Sequence, residues 1–455
     1  STGWLHTGDP ALLLHTDKLF ASLRSKMADG WFDELLRSLF APAPVQVLQV
    51  PTLPKKQEET QAPARTDAKL VLDHPLTVAD LGEGAPSAAG QTEQVAGATV
   101  LRHPSAGSLY LNFYYDLGTV TPEELQYLNL LTDVLDELDT PAHTAQQLNT
   151  LRSTWLGDSR VLLDFWTGRQ EGAPCHAKLT MSLSLLERSL QKAVELGGEW
   201  LYDTQLTGPA AEAAFARVLS QQKLNMEQQF IQQGNAYAAV RASAHYNVEN
   251  AASERCSGVS YYRFLCDLLE KADWAGLGAK LETLRAQVLQ HAQLTVSLHG
   301  SEQALDTLRT LLPGSRFAAQ GRDAAQPYAE PLTPPVNEAF IIDGGVNYAV
   351  QVWPMERRSD RKVLARVMSY EYLWHNIREV GGAYGTGMLS SDGVEYLYTY
   401  RDPHVKESYD TFAKGPAELA AREYTEKDLN DFIVGTVAKL DTPRKPRAEA
   451  VSYTH

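Results

Sequence analysis

The sequence predicts an α+β protein of two related domains. Each is a mixed or antiparallel sheet with helices packed on one side, and a helical segment precedes the pair. Three observations carry this. Leu109, Leu111, Phe113, Tyr115 and Leu117 alternate with their neighbours, as in a strand with one buried face. Thr121-Pro122-Glu123-Glu124 then opens a helix: Thr caps, Pro takes the first helical position and Glu124 completes a capping box. The same strand-then-helix order returns after a stretch bearing Pro327, Pro331, Pro334 and Pro335. Strands followed by runs of helices place the helices on one side of the sheets.

Along the chain, residues 16–40 carry apolar positions at helical spacing: Leu19, Phe20, Leu23, Met27, Trp31, Leu35, Leu36 and Leu39. A short β-like run, Val45 to Val50, follows Pro42-Ala43-Pro44. Pro51 to Lys69 is polar and proline-bearing, which reads as a tether. The expected organisation is therefore 1–50 as the end of one unit, 51–90 as tether and 91–313 as the first α+β domain. A linker over 314–336 and a second domain over 337–455 complete it.

In the first domain, Leu125, Leu128, Leu131, Leu135 and Leu138 form the stripe of the capped helix. Val161–Trp166 and Lys178–Leu185 read as strands, Leu186–Leu201 and Pro209–Tyr246 as helices. Leu294–Leu298 and Ser301–Leu312 close the domain as strand and helix. In the second domain, Ala339–Ile342, Val346–Trp353, Tyr384–Leu389 and Val394–Tyr400 read as strands. Arg361–Glu379, His404–Arg422 and Thr425–Leu440 read as helices, the last capped through Thr425 and Asp428.

At 455 residues the chain exceeds one ordinary core. Its formal net charge is −15, whereas a protein that tracks phosphate backbones concentrates positive charge, so nucleic acid is not an expected partner. The acidic balance suits a solvated surface and tolerates basic peptides. No apolar run reaches the roughly 18–20 residues needed to cross a bilayer, so no membrane partner is expected. The chain opens on Ser rather than Met and shows no signal peptide there, as expected of a processed product or a piece of something longer. Cys175, Cys256 and Cys266 match neither a disulfide framework nor a zinc ribbon. They read as buried reduced thiols in an intracellular, soluble protein of the cytoplasm or an organelle matrix.

No H-E-x-x-H, inverse H-x-x-E-H, G-x-S-x-G or phosphate loop occurs. The 12 histidines are scattered and read as packing or surface residues. What remains is Arg378-Glu379-Val380-Gly381-Gly382-Ala383-Tyr384-Gly385, where Arg378 and Tyr384 lie six positions apart across a glycine turn. One reading is a helix C-terminus, with Gly381 as its left-handed cap and Arg378 facing the negative end of the dipole. The other is a pair of donors aimed into a groove, ready to hydrogen-bond a carbonyl oxygen as it gains charge.

The segment Leu373-Trp374…Arg378-x-x-Gly381-Gly382-Ala383-Tyr384-Gly385 resembles the C-terminal half of presequence-protease-like members of the pitrilysin/insulinase metallopeptidase family. Val346-Asn347-Tyr348, Tyr400-Arg401-Asp402-Pro403 and Ile433-Val434-Gly435-Thr436 fit the same pattern in order. The stretch from Trp4 to Trp31-Phe32 is similar to the helical linker between the family's halves. The resemblance implies a half of two related α+β domains that closes, with a zinc-binding N-terminal half, like a clamshell around a chamber for unstructured peptides. Zinc and the general base would come from that partner half, and none would be bound by this chain. Arg378 and Tyr384 would be catalytic, and Gly381, Gly382 and Ala383 would let the substrate backbone approach. This chain alone would then be inactive. The alternative is a non-catalytic scaffold subunit of the same fold.

Overall fold

The computed structural model describes residues 16–41, 76–82, 90–440 and 442, apart from 106, 169, 171, 319, 320, 357 and 392. The chain divides into two compact units, Ser1–Asp73 and His74–His455. The first contains α1 (Thr16–Ala28) and α2 (Trp31–Phe40), so the expected helix over 16–40 is two helices. The break is at Gly30, whose φ of +74° places it in the left-handed region. No residue of α2 is buried. The expected strand at 45–50 and the expected tether over 51–90, apart from residues 76–82 and 90, lie outside the described residues.

The second unit begins with a polar hairpin, β1 (Gln91–Val95) and β2 (Ala98–Pro104), that the sequence reading did not foresee. Its apolar alternation is slight, and the turn carries the signal instead: Ala96 and Gly97 have φ of +52° and +83°. Two consecutive positive φ values suit the right-handed twist of the flanking strands. Next come β3 (Leu109–Asp116), α3 (Pro122–Val134), α4 (Ala145–Trp155), β4 (Leu156–Thr167) and β5 (Cys175–Leu185). The predicted capping box of α3 is present in full. Helices α5 (Leu190–Gly198), α6 (Pro209–Gln232), α7 (Gly234–Ser243), α8 (Val248–Ser257), α9 (Val259–Lys271) and α10 (Trp274–His291) lead to β6 (Leu294–Gly300) and α11 (Glu302–Leu311). The six strands pair in the order β1-β2-β6-β3-β5-β4. Only β2 and β6 run parallel.

The helix expected over 209–246 is interrupted at Gln233–Gly234. A Cβ at Gly234 would collide with the ring of Tyr348, which lies just before the second sheet. The Tyr348 hydroxyl donates to the Ile231 carbonyl at the break. A tertiary contact therefore overrides local helix propensity here.

The second sheet is smaller: β7 (Val350–Pro354), β8 (Gly385–Ser391) and β9 (Val394–Tyr400) pair antiparallel in the order β7-β9-β8. Helix α12 (Ser359–Val367) runs on into a wider π-type segment, Met368–Val380, and α13 (Val405–Ala420) and α14 (Glu426–Leu440) follow. The strand expected at 339–342 is not formed. Those residues run without a strand partner, and Phe340 and Ile341 are exposed. Charge and backbone contacts tether this segment instead: Arg241 holds Glu338 bidentately at 2.7 and 2.9 Å, and His245 meets Thr333.

Each sheet has its own core. One runs from Ala98 to Tyr328, with Phe113 stacked on Phe317 at 4.0 Å. The other gathers Ala365, Met368, Tyr372, Leu373 and Ile377 of the helix against Met388, Leu397 and Phe412. Cys175 and Cys256 are buried and Cys266 half-buried. Burial pushes the Cys256 thiol far up, which keeps it protonated and inert.

Side-chain hydroxyls occupy backbone groups on both edges of the small sheet. The backbone N–H of Thr399 bonds the Ala349 carbonyl, so the alternate residues Val350 and Val352 turn their carbonyls outward. These accept from the hydroxyls of Tyr409 and Tyr246, each at 3.2 Å. On β8, the Ser369 hydroxyl accepts from the Met388 N–H at 2.8 Å and donates to its carbonyl at 3.3 Å.

Candidate functional site

The glycine turn joins the π-type segment to β8. At its C-terminus the Gly381 N–H bonds the Asn376 carbonyl, five residues back, and the Ala383 N–H bonds the Ile377 carbonyl. Wider helical turns of this kind are rare, and many sit at functional sites. The left-handed residue is Gly382, with φ of +79°, whereas Gly381 is right-handed at −77°. This corrects the assignment of the cap to Gly381. Gly381 is instead required by space: a Cβ there would stand 2.7 Å from the Ile377 carbonyl oxygen. Around Gly382 the nearest atom to an added Cβ is Pro403 Cγ at 3.7 Å, so its surface is open. Ala383 is 3% exposed and faces the second core, which anchors the turn.

The structure brings Arg378 and Tyr384 together. The guanidinium carbon lies 5.5 Å from the Tyr384 ring centroid, and Tyr384 is 67% exposed. The Tyr384 ring meets Tyr400 edge-on at 5.9 Å, and Tyr400 in turn meets Tyr348 at 5.5 Å. Behind the turn, Arg401 has φ of +49°, and the Asn347 side chain and carbonyl bond the backbone of Asp402. The Asp402 carboxylate, 2% exposed, accepts from the His404 N–H. The 346–348 and 400–403 segments singled out in the sequence thus buttress the turn from below.

A feature the sequence reading missed lies on the preceding helix. Arg366, Tyr370, Trp374 and Arg378 recur every four residues. Arg366 lies over Tyr370 at 5.2 Å, Tyr370 beside Trp374 at 6.2 Å, and Arg378 over Trp374 at 4.2 Å. The i, i+4 spacing of two rings flanked by two cations was the available signal. One end of this stripe is the glycine turn. The other borders a cavity of about 390 Å³ lined by Arg366, Tyr370, Arg422, Tyr424 and Phe432, among others.

Among the described residues, no group of three or more His, Cys, Asp or Glu side chains could hold a metal. No described helix is long and apolar enough to cross a membrane. His103 and His299, opposed on β2 and β6, are buried and stacked at 4.8 Å, as packing residues. What the site offers chemically is a cation and a phenol on an open glycine turn, both of them hydrogen-bond donors.

Residues 59–268 match the family model for the region associated with peptidases of family M16, subfamily C, and residues 337–454 match that of the PreP C-terminal domain. The chain is 27% identical over 380 residues to Presequence protease 1, chloroplastic/mitochondrial, of Arabidopsis thaliana, covering 79% of this chain and 34% of that protein. It is 20% identical over 482 residues to Protein HypA of Clostridium perfringens, covering 97% of this chain and 49% of that protein. The matches thus span between a third and a half of those relatives. In fold it is similar to a peptidase M16 inactive domain from Pseudomonas fluorescens, with a TM-score of 0.52 and 16% identity over 80% of this chain and 86% of that one.

Proposed function

We propose a function from one premise: the chain belongs to the pitrilysin/insulinase metallopeptidase family, as the C-terminal half of a presequence-protease-like member. On this reading it is the substrate-binding and transition-state-stabilising half of a zinc oligopeptidase that degrades unstructured peptides in a clamshell chamber. The observation that carries the reading is the convergence of Arg378 and Tyr384 on an open glycine turn. Zinc in the N-terminal partner half would supply the polarised water, and the general base would come from that half too. Arg378 would clamp a substrate carbonyl near the scissile bond with charge-assisted hydrogen bonds. The Tyr384 hydroxyl would donate to the oxyanion as it forms. Gly381 and Gly382 would admit the substrate backbone, with Ala383 pinning the turn.

The alternative, a non-catalytic scaffold of the same fold, gives no reason for a half-buried cation and an exposed phenol to be held together. The native species is tested first for intact mass and zinc. A partner half with about one zinc supports the reading, and a native, zinc-free species of this chain alone favours the scaffold. In the two-half species, Arg378→Ala or Tyr384→Phe should slow peptide cleavage tenfold or more with the fold intact. An unchanged rate overturns the catalytic role.

A further inference from the structure

We infer that Trp374 is a positioning residue: its indole face fixes the Arg378 guanidinium while leaving that group's hydrogen-bond donors free for substrate. This rests on the functional reading of Arg378 above and adds the residue that makes it work.

Among the described residues, the Arg378 side chain has no hydrogen bond and no ion pair with a carboxylate; its neighbours are rings, Trp374 at 4.2 Å and Tyr384 at 5.5 Å. The nearest carboxylate in sequence is Glu379, and it is engaged by His375, whose Nδ1 lies 2.9 Å from Glu379 Oε2. The difference between the two kinds of partner matters. A carboxylate would neutralise the guanidinium and consume two of its five N–H donors through the planar fork. An indole face attracts the cation through its quadrupole and leaves the in-plane donors unused. A long, flexible side chain is thereby ordered before the ligand arrives, and less rotamer entropy is lost on binding.

Trp374 is itself held. It is half-buried, Tyr370 packs beside it, and Leu373 next to it is in the core. The stripe of Arg366, Tyr370, Trp374 and Arg378 stays on one side of the widened helix, so the ring beneath Arg378 is fixed by the helix that ends in the glycine turn. Trp374 touches no reacting atom in this scheme and acts only through Arg378.

The test is a double-mutant cycle on the two-half species, with kcat and KM separated and thermal unfolding followed in parallel. Trp374→Ala should lower kcat/KM about tenfold, and Trp374→Phe, which keeps a ring face, should recover to within about threefold. In an Arg378→Ala background, Trp374→Ala should cost less than about twofold more, since its effect runs through the missing cation. If Arg378→Ala is impaired but Trp374→Ala is not, the inference fails and the functional reading stands. If Trp374→Ala costs the same tenfold in both backgrounds, its role is structural and the inference is overturned. If Arg378→Ala is silent, the functional reading falls and takes this one with it. A readout independent of cleavage is the Arg378 Nε–Hε NMR resonance of this chain. It should lose its ring-current shift in Trp374→Ala, and an unmoved resonance would mean that the stack does not persist in solution.

Discussion

The two sheets of the second unit differ in the core each one covers. The six-stranded sheet is wrapped by helices around a core that runs from Ala98 to Tyr328, built of Leu, Val, Phe and fully buried Tyr and Trp. The three-stranded sheet has a core of eleven buried residues. It nonetheless carries the wide helical turn, the left-handed Gly382 and Arg401, and a run of exposed rings. Irregular backbone occurs in both regions, since the larger one holds left-handed Ala96 and Ala272 and a π-type turn of its own at Glu199–Asp203. What sets the smaller region apart is that its irregular backbone lies beside exposed rings. On the proposed function, the larger core would supply most of the stability and the turn beside the smaller core the chemistry.

If that division holds, truncations in the larger core should affect the fold most. Phe113→Ala, which empties the space against Phe317, should cost about 3–5 kcal/mol in denaturant unfolding. A loss below about 1 kcal/mol would mean that the core is not the source of stability. A smaller effect of opposite sign is expected at Asp133. Burial raises its carboxyl to about 6, against a lowering contribution from the Tyr261 hydroxyl that it accepts at 2.9 Å. The folded state therefore binds the proton more readily than the unfolded one. Its contribution is fully present below pH of about 4 and is lost as pH rises through about 6. Asp133→Asn should then stabilise by about 2 kcal/mol at pH 7 and give no gain at pH 4. Equal gains at both values would refute a titration origin. The smallest effect is at the turn. Gly382→Ala meets open space, so only its φ of +79° is penalised, by about 1 kcal/mol. If cleavage by the two-half species falls much further than this, the turn's shape serves chemistry rather than folding.

The sequence made the regular parts legible. The capping box at Thr121, the alternation of β3 and the strand Val394–Tyr400 rest on local chemistry, and they stand where the pattern places them. The errors come from tertiary causes. The helix over 209–246 breaks at Gly234 because Tyr348, more than a hundred residues later, needs the space. The apolar run at 339–342 has β propensity but no partner strand. At the site, Arg378 and Tyr384 were legible through their spacing and family likeness. The widening of the helix was not, because π-type hydrogen bonding leaves no mark in residue periodicity, whereas the Trp374–Arg378 pair had a signal in its i, i+4 spacing that the sequence reading passed over. The cap was displaced by one residue for a steric reason, the Ile377 carbonyl over Gly381.

The hydroxyls of Tyr246, Tyr409 and Ser369 on the margins of the small sheet have a consequence for a protein proposed to handle unfolded chains. An open strand margin offers an extended polypeptide a template with no sequence preference, and such pairing grows into fouling. Here three side chains, from three different helical or turn segments, already satisfy the carbonyls of Val350 and Val352 and both backbone groups of Met388. A guest peptide would have to displace them before it could zip onto either margin. Such a guest is left with the rings and the glycine turn, contacts it can leave again once it has been cut.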